Sequence, residues 1–144
     1  MKIKIRKAVN NDLMGIANLF VEEFAKRPYN EKWGVERALK KIKRYYKNDK
    51  IYVAILNKQI VGFVIASLQI WDKGDKILIE ELVVNSKYQN MGVGTSLMRF
   101  LEKVYARKVV EFYLFSDKKS RAFKFYKNLG YKNSSFVWMA KKNG

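Results

Sequence analysis

Apolar and polar positions alternate at the start of the chain. From Lys2 to Val9, Ile3 and Ile5 stand between basic residues and Val9 follows Arg6-Lys7, a period of two that predicts a strand with one wet face. Asn10-Asn11-Asp12 then offers N-cap side chains. The period lengthens to that of a helix, with Leu13, Ile16, Ala17, Phe20 and Phe24 on one face. Residues 25–34 break the pattern and hold the only proline, Pro28, together with Tyr29 and Trp33. Val35, Ala38, Leu39, Ile42 and Tyr46 resume helical spacing. Arg37, Lys40, Lys41, Lys43 and Arg44 fall on the outer face of this second helix, where solvation is expected.

Ile51 to Leu56 and Ile60 to Ile70 read as strands joined by Asn57-Lys58-Gln59, a hairpin of short loop length. Trp71-Asp72-Lys73-Gly74-Asp75 is a polar turn. The run Ile77 to Val84 is β-branched and largely apolar, which suits a strand buried on both faces. Leu97, Leu101, Val104 and Tyr105 then share a helical face. Val109 to Phe115 predicts another strand. Ala122, Phe125, Tyr126 and Leu129 predict a short helix closed by Gly130 at its C′ position. Tyr131 to Lys141 predicts one or two closing strands. The order β-α-α-β-β-β-α-β-α-β contains one strand–helix–strand crossover, hence one parallel pair, among antiparallel hairpins. A mixed sheet covered by helices follows, an α+β fold in an α/β three-layer arrangement. At 144 residues, a single domain over 1–144 is expected.

Composition removes several chemistries. The chain has no cysteine and no histidine. Thiolate nucleophiles, disulfides, His-based triads and the usual zinc ligands are therefore absent, and no metal site is expected. A general base must be a carboxylate or a water chain. No segment reaches transmembrane length, so a soluble, cytoplasmic protein without a membrane partner is expected. The net charge is +17, from 30 Lys+Arg against 13 Asp+Glu. Such a charge suits nucleic acid or an anionic cofactor, but the lysines are spread along the chain, which favours a solvated surface.

The candidate chemistry gathers between Ile77 and Tyr105. An apolar strand feeds a helix through Gln89-Asn90-Met91-Gly92-Val93-Gly94-Thr95. Free N–H groups at a helix N-terminus suit phosphate. The third glycine of the dinucleotide fingerprint is replaced by Leu97, and no Gly-Lys-Ser/Thr follows. On spacing alone, a phosphate cradle and an ordinary tight turn both stand. Glu80 and Glu81 interrupt the apolar strand. Alternation sends them to opposite faces, so at most one can point into a given cleft. A carboxylate there is costly unless it is paired with a lysine or employed as a base. Tyr126, read by itself, is a core aromatic at helical spacing.

Gln89-x-x-Gly92-x-Gly94, preceded by Leu82-x-Val84 and followed by Leu97-Met98, resembles the acetyl-CoA signature of the GCN5-related N-acetyltransferases (GNAT). Ala122-Phe123-Lys124-Phe125-Tyr126-Lys127-Asn128-Leu129-Gly130-Tyr131 is similar to the family's Ala-x-x-Phe-Tyr-x-x-x-Gly-Phe segment. The resemblance implies a mostly antiparallel sheet with helices on both faces and a splayed central parallel strand pair that receives CoA. It implies direct transfer of the acetyl group of acetyl-CoA, as co-substrate, to a primary amine of a small molecule or peptide. Backbone at Leu82, Val83 and Val84 would meet the pantetheine arm. Gln89, Asn90, Met91, Gly92, Val93, Gly94 and Thr95 would hold the pyrophosphate. Glu81, or else Glu80, would be the base and Tyr126 the acid, also touching the cofactor. Residues 25–34 would wall the acceptor side, and a homodimer is common in the family.

Three positions depart from the pattern. Ser86 replaces the usual proline and is expected only to loosen the turn. Lys119 replaces an asparagine and could reach a phosphate. Leu114 stands where some N-terminal protein acetyltransferases carry a glutamate, which argues against that subgroup. The alternative reading is a non-catalytic binder of acyl-CoA, or of nucleic acid through the basic surface. Nucleic acid is the weaker partner, because the aromatics fall on apolar faces rather than on a stacking platform.

Overall fold

The computed structural model describes residues 2–144. Five strands form one sheet in the order β1-β2-β3-β4-β5: β1 (Lys4–Lys7), β2 (Lys50–Leu56), β3 (Gln59–Gln69), β4 (Lys76–Val84) and β5 (Glu111–Leu114). Neighbours are antiparallel except β4 and β5, which are parallel. Four helices, α1 (Leu13–Phe24), α2 (Val35–Asn48), α3 (Val93–Tyr105) and α4 (Arg121–Asn128), complete the fold.

The sheet has an apolar core on each face. Ile16, Ala17 and Phe20 of α1 and Ala38 and Ile42 of α2 pack on Ile51, Val53, Phe63, Ile65 and Val83. Leu97, Met98 and Leu101 of α3 pack on Ala54, Val64, Ala66, Ile77 and Ile79 on the other face, with Phe125 and Tyr126 of α4 packed against them. Two-sided burial is the reason the β3 and β4 runs are apolar at successive positions rather than alternating.

Local chemistry differs from expectation at three places. Asp12 does not cap α1 with its side chain. Its carboxylate takes two hydrogen bonds from Arg6, at 2.7 and 3.0 Å, and one from the Val9 N–H at 2.8 Å. The Arg6 guanidinium holds the Asp12 carboxyl below its ordinary range, against the opposing effect of burial. Tyr131 to Lys141 forms no strand. Alternating sequence creates only the potential to pair, and among the described residues β5 has β4 as its one partner in the sheet. Phe136, Val137, Trp138 and Met139 consequently stay at least 78% exposed. The β5 strand is also shorter than Val109 to Phe115, because its parallel register with β4 ends at Leu114.

Leu97 is fully buried where α3 meets the sheet. Leu97→Ala should therefore cost about 2–5 kcal/mol, measured as a lower urea midpoint at unchanged m value.

Candidate active site

The site begins with the register of β4. Its parallel pairing with β5 runs from Lys76 opposite Glu111 to Ile79 opposite Leu114. Beyond that point β4 continues to Val84, paired only with β3. Backbone groups of the second half of β4 that point toward β5 are therefore left without a strand partner. A ligand lying there can pair with them as an added strand would.

At the end of β4 the chain turns into α3, and the two glycines serve different needs. Gly92 is the N-cap residue with φ +83°, a left-handed conformation that a side chain disfavours. Gly94 allows close approach: a Cβ there would stand 3.3 Å from the Phe125 ring of α4. Gln89 donates its side-chain N–H to the Val84 carbonyl at 3.1 Å, closing the turn. The first N–H groups of α3 lack helical partners and sit at the positive end of its dipole.

Ser86 does more than loosen this turn. Its N–H and hydroxyl both donate to Glu23 near the end of α1, at 3.1 and 2.5 Å, and Lys26 donates to Glu23 at 2.9 Å. Burial pushes the Glu23 carboxyl up, but the Ser86 hydroxyl and Lys26 outweigh it and leave it lowered. The departure from proline is thus an anchor between α1 and the loop. Glu23 carried no sequence signal for this role, because its partner is 63 residues away.

A cleft of about 1030 Å³ opens between these elements. Leu82, Val83, Val84, Gln89, Asn90, Gly92, Val93, Gly94, Thr95 and Tyr126 all line it. Met91 and Lys119 do not belong to its wall. The Lys119 N–H instead donates to Asp117 within its own loop at 2.9 Å. The wall's cations are Lys26, Arg27, Arg121 and Lys124, supplied by the start of the α1–α2 connection and by α4. Of residues 25–34, Lys26 to Tyr29 reach the cleft, whereas Trp33 packs edge-on against Phe20, 5.0 Å between centroids. Unpaired strand backbone, a helix N-terminus and flanking cations fit a long ligand with an amide-bearing arm and phosphates, as acetyl-CoA is.

Glu80 and Glu81 lie outside the cleft wall, and alternation does not separate them. Ile65 pairs with Glu81 while the next residue of β3, Ala66, pairs with Ile79, so Glu80 is the extra residue of a β-bulge. Both carboxylates consequently act on the α1/α2 side. Glu80 accepts from the buried Ser67 hydroxyl at 2.9 Å, and its charge is felt at Tyr45 and Asp49 near the end of α2. Glu81 accepts from the Tyr45 hydroxyl at 3.3 Å and lies 3.8 Å from the Lys41 ammonium. Its side chain is only 16% exposed. Burial raises the Glu81 carboxyl to about 7, with Glu80 and Glu31 pushing the same way and Lys41 and Tyr45 pulling against them. Tyr126 is held well above the ordinary phenol value by burial and then by the fields of Tyr29 and Glu81. It therefore keeps its proton. Lys41, expected on a solvated face, turns inward. The spacing Ala38, Lys41, Ile42, Tyr45 is helical, and it was the available signal.

The raised carboxyl of Glu81 predicts a pH-dependent stability. The folded state binds this proton more tightly than the unfolded state, so stability is greatest at and below pH 4.5 and is lost as pH rises through about 7. Across that window the loss is about 3 kcal/mol, and Glu81→Gln should abolish it. Chemical denaturation of both proteins from pH 4.5 to 8 checks this. Asp12 and Glu23, whose carboxyls are lowered, act in the opposite sense on the acid side of that window.

Comparison with known proteins follows the same lines. The family model described as the acetyltransferase (GNAT) family matches residues 13–131. A "possible acetyltransferase" from Clostridium difficile 630 superposes with a TM-score of 0.85 at 18% identity, covering 99% of both chains. An aminoglycoside acetyltransferase, meta-AAC0020, from an uncultured soil metagenomic sample, solved with sisomicin, gives 0.74 at 21% identity over 98% of this chain and 97% of that one. The aminoglycoside N-acetyltransferase AAC(6')-Iy, solved in complex with CoA, gives 0.79 at 15% identity over 99% and 96%. No curated protein matches by sequence. The family match over most of the chain, on this mixed sheet with its one parallel pair, identifies the protein as a member of the GNAT family of acetyltransferases.

Proposed function

We propose that the chain, acting over residues 1–144 as one catalytic unit, transfers an acetyl group from acetyl-CoA directly to a primary amine. The observation that carries this reading is the cleft where β4 outruns β5, with the N-terminus of α3 and Tyr126 on its wall and the Glu81 carboxylate close enough for its charge to be felt at Tyr126. Acetyl-CoA supplies an activated thioester. The chain supplies position, a proton acceptor and a proton donor.

Backbone at Leu82–Val84 pairs with the pantetheine arm and offers an N–H to the thioester carbonyl oxygen, where negative charge develops. Residues Gln89–Thr95 hold the pyrophosphate at the start of α3, and Arg121 and Lys124 of α4 neutralise the phosphates. An acceptor ammonium has an ordinary pKa of about 10.4 and must lose a proton before it attacks. Glu81, raised to about 7, is suited to take that proton at neutral pH, through water because it lies outside the cleft wall. Tyr126, still protonated, donates to the departing sulfur as the C–S bond breaks, and the second proton lost by the attacking nitrogen as the amide forms restores the phenol. No cysteine is available for an acyl-enzyme, which supports direct transfer. Tyr29 and its neighbours on the α1–α2 connection form the acceptor wall.

Acetyl-CoA at 100 times its Kd should stabilise the protein by about 2.7 kcal/mol. A thermal-shift titration at low and high salt checks this, and a shift produced only by a nucleic-acid duplex and erased by salt would sink the reading. In an acceptor panel containing an aminoglycoside, a polyamine and a peptide with a free N-terminus, Glu81→Gln should lower kcat by about 100-fold or more, and Tyr126→Phe by at least about tenfold. Both variants should retain the thermal shift with acetyl-CoA.

A further inference from the structure

Two side chains of α2 converge on one carboxylate atom of β4. The Lys41 ammonium lies 3.8 Å from Oε2 of Glu81, and the Tyr45 hydroxyl donates to the same Oε2 at 3.3 Å. Lys41 is in turn seated between aromatic faces, 5.3 Å from the Tyr45 ring centroid and 5.8 Å from that of Trp33. Trp33 is itself braced against Phe20 of the core and donates to Glu31 at 2.6 Å. The ammonium is therefore placed by packing and is not a freely waving surface charge.

We propose that Lys41 and Tyr45 are positioning residues for the transfer reaction, holding Oε2 of Glu81 so that the carboxyl keeps an ionised fraction at neutral pH and presents Oε1 to the incoming proton. This rests on the reading of Glu81 as the base. The physical need is plain: a carboxylate buried among apolar side chains and facing like charge loses its own charge unless a cation or donor opposes that. The groups facing Glu81 are Lys41 and Tyr45 of α2, Glu31 and Tyr29 of the connection before it, Glu80 of its own strand and Tyr126 of α4. Glu80 and Glu31 favour the neutral acid, and burial favours it most. Lys41 and Tyr45 oppose all three. Without them Glu81 would hold its proton through neutral pH and could not act as a base there.

The test needs no acceptor. Protein labelled with 13Cδ-glutamate is titrated by carboxyl NMR from pH 4 to 10, and the Glu81 resonance is identified by its loss in Glu81→Gln. The wild-type midpoint should lie at about 7. Lys41→Met should raise it by about one unit or more, Tyr45→Phe should raise it by less, and Lys41→Arg should leave it near wild type. Lys41→Gln serves as a second neutral variant should Lys41→Met fold poorly. An unmoved midpoint in either neutral variant would overturn the proposal. With an amine that is acetylated, the acid limb of kcat/KM should move by the same amount as the NMR midpoint, and a limb that stays put while the midpoint moves would also overturn it. Full activity of Glu81→Gln, by contrast, would remove the base reading itself, whatever the midpoint does.

Discussion

Everything at this site depends on β4 having two different neighbours along its length. Near Lys76–Ile79 it is a central strand, hydrogen-bonded to β3 on one side and β5 on the other. From Glu80 onward it keeps β3 and loses β5. The unpaired backbone cannot be left dry without cost, and it cannot be covered by α3, which starts only after the loop. A cleft is the physical consequence of a long strand beside a short one. The turn at its end, with a left-handed Gly92 and a side-chain-free Gly94 against Phe125, lets α3 and α4 close over the cleft's end while its backbone stays accessible.

The bulge at Glu80 is the second constraint. It sits where β4 changes character, which is where an extra residue is tolerated, since no β5 partner is displaced. Its effect is to turn two adjacent carboxylates toward α2 rather than to opposite faces. One is satisfied by the Ser67 hydroxyl of β3, and the other meets the α2 pair. In a chain carrying +17 overall, two acidic groups thereby gather beside the cleft, whose own wall carries Lys26, Arg27, Arg121 and Lys124.

The loop between β4 and α3 is held from below by Glu23. That contact ties the end of α1 to the backbone of Ser86, so the α1–α2 connection and the β4–α3 turn, both of which line the cleft, share an anchor. The exposed Phe136–Met139 run contributes nothing to this arrangement; it lies outside both apolar cores.

The sequence by itself determined the order and type of nearly every element, because periods of 2 and 3.6 in apolar residues are local properties that survive packing. It also determined the chemistry that is absent, since a chain without cysteine or histidine cannot use them. Tyr126 and the cleft-lining residues of 89–95, all but Met91, were legible because each motif lies within one strand–turn–helix or one helix. What only tertiary structure decided are relations between distant residues. The bulge comes from register with β3, and the Glu23–Ser86 anchor spans the fold. The inward turn of Lys41 requires Glu81 to be beside α2, and the cations of the cleft wall are Lys26, Arg27, Arg121 and Lys124, with Lys119 outside it. The strands that alternation predicts over 131–141 are not formed for the same reason: alternation describes one chain segment, whereas a strand exists only with a partner.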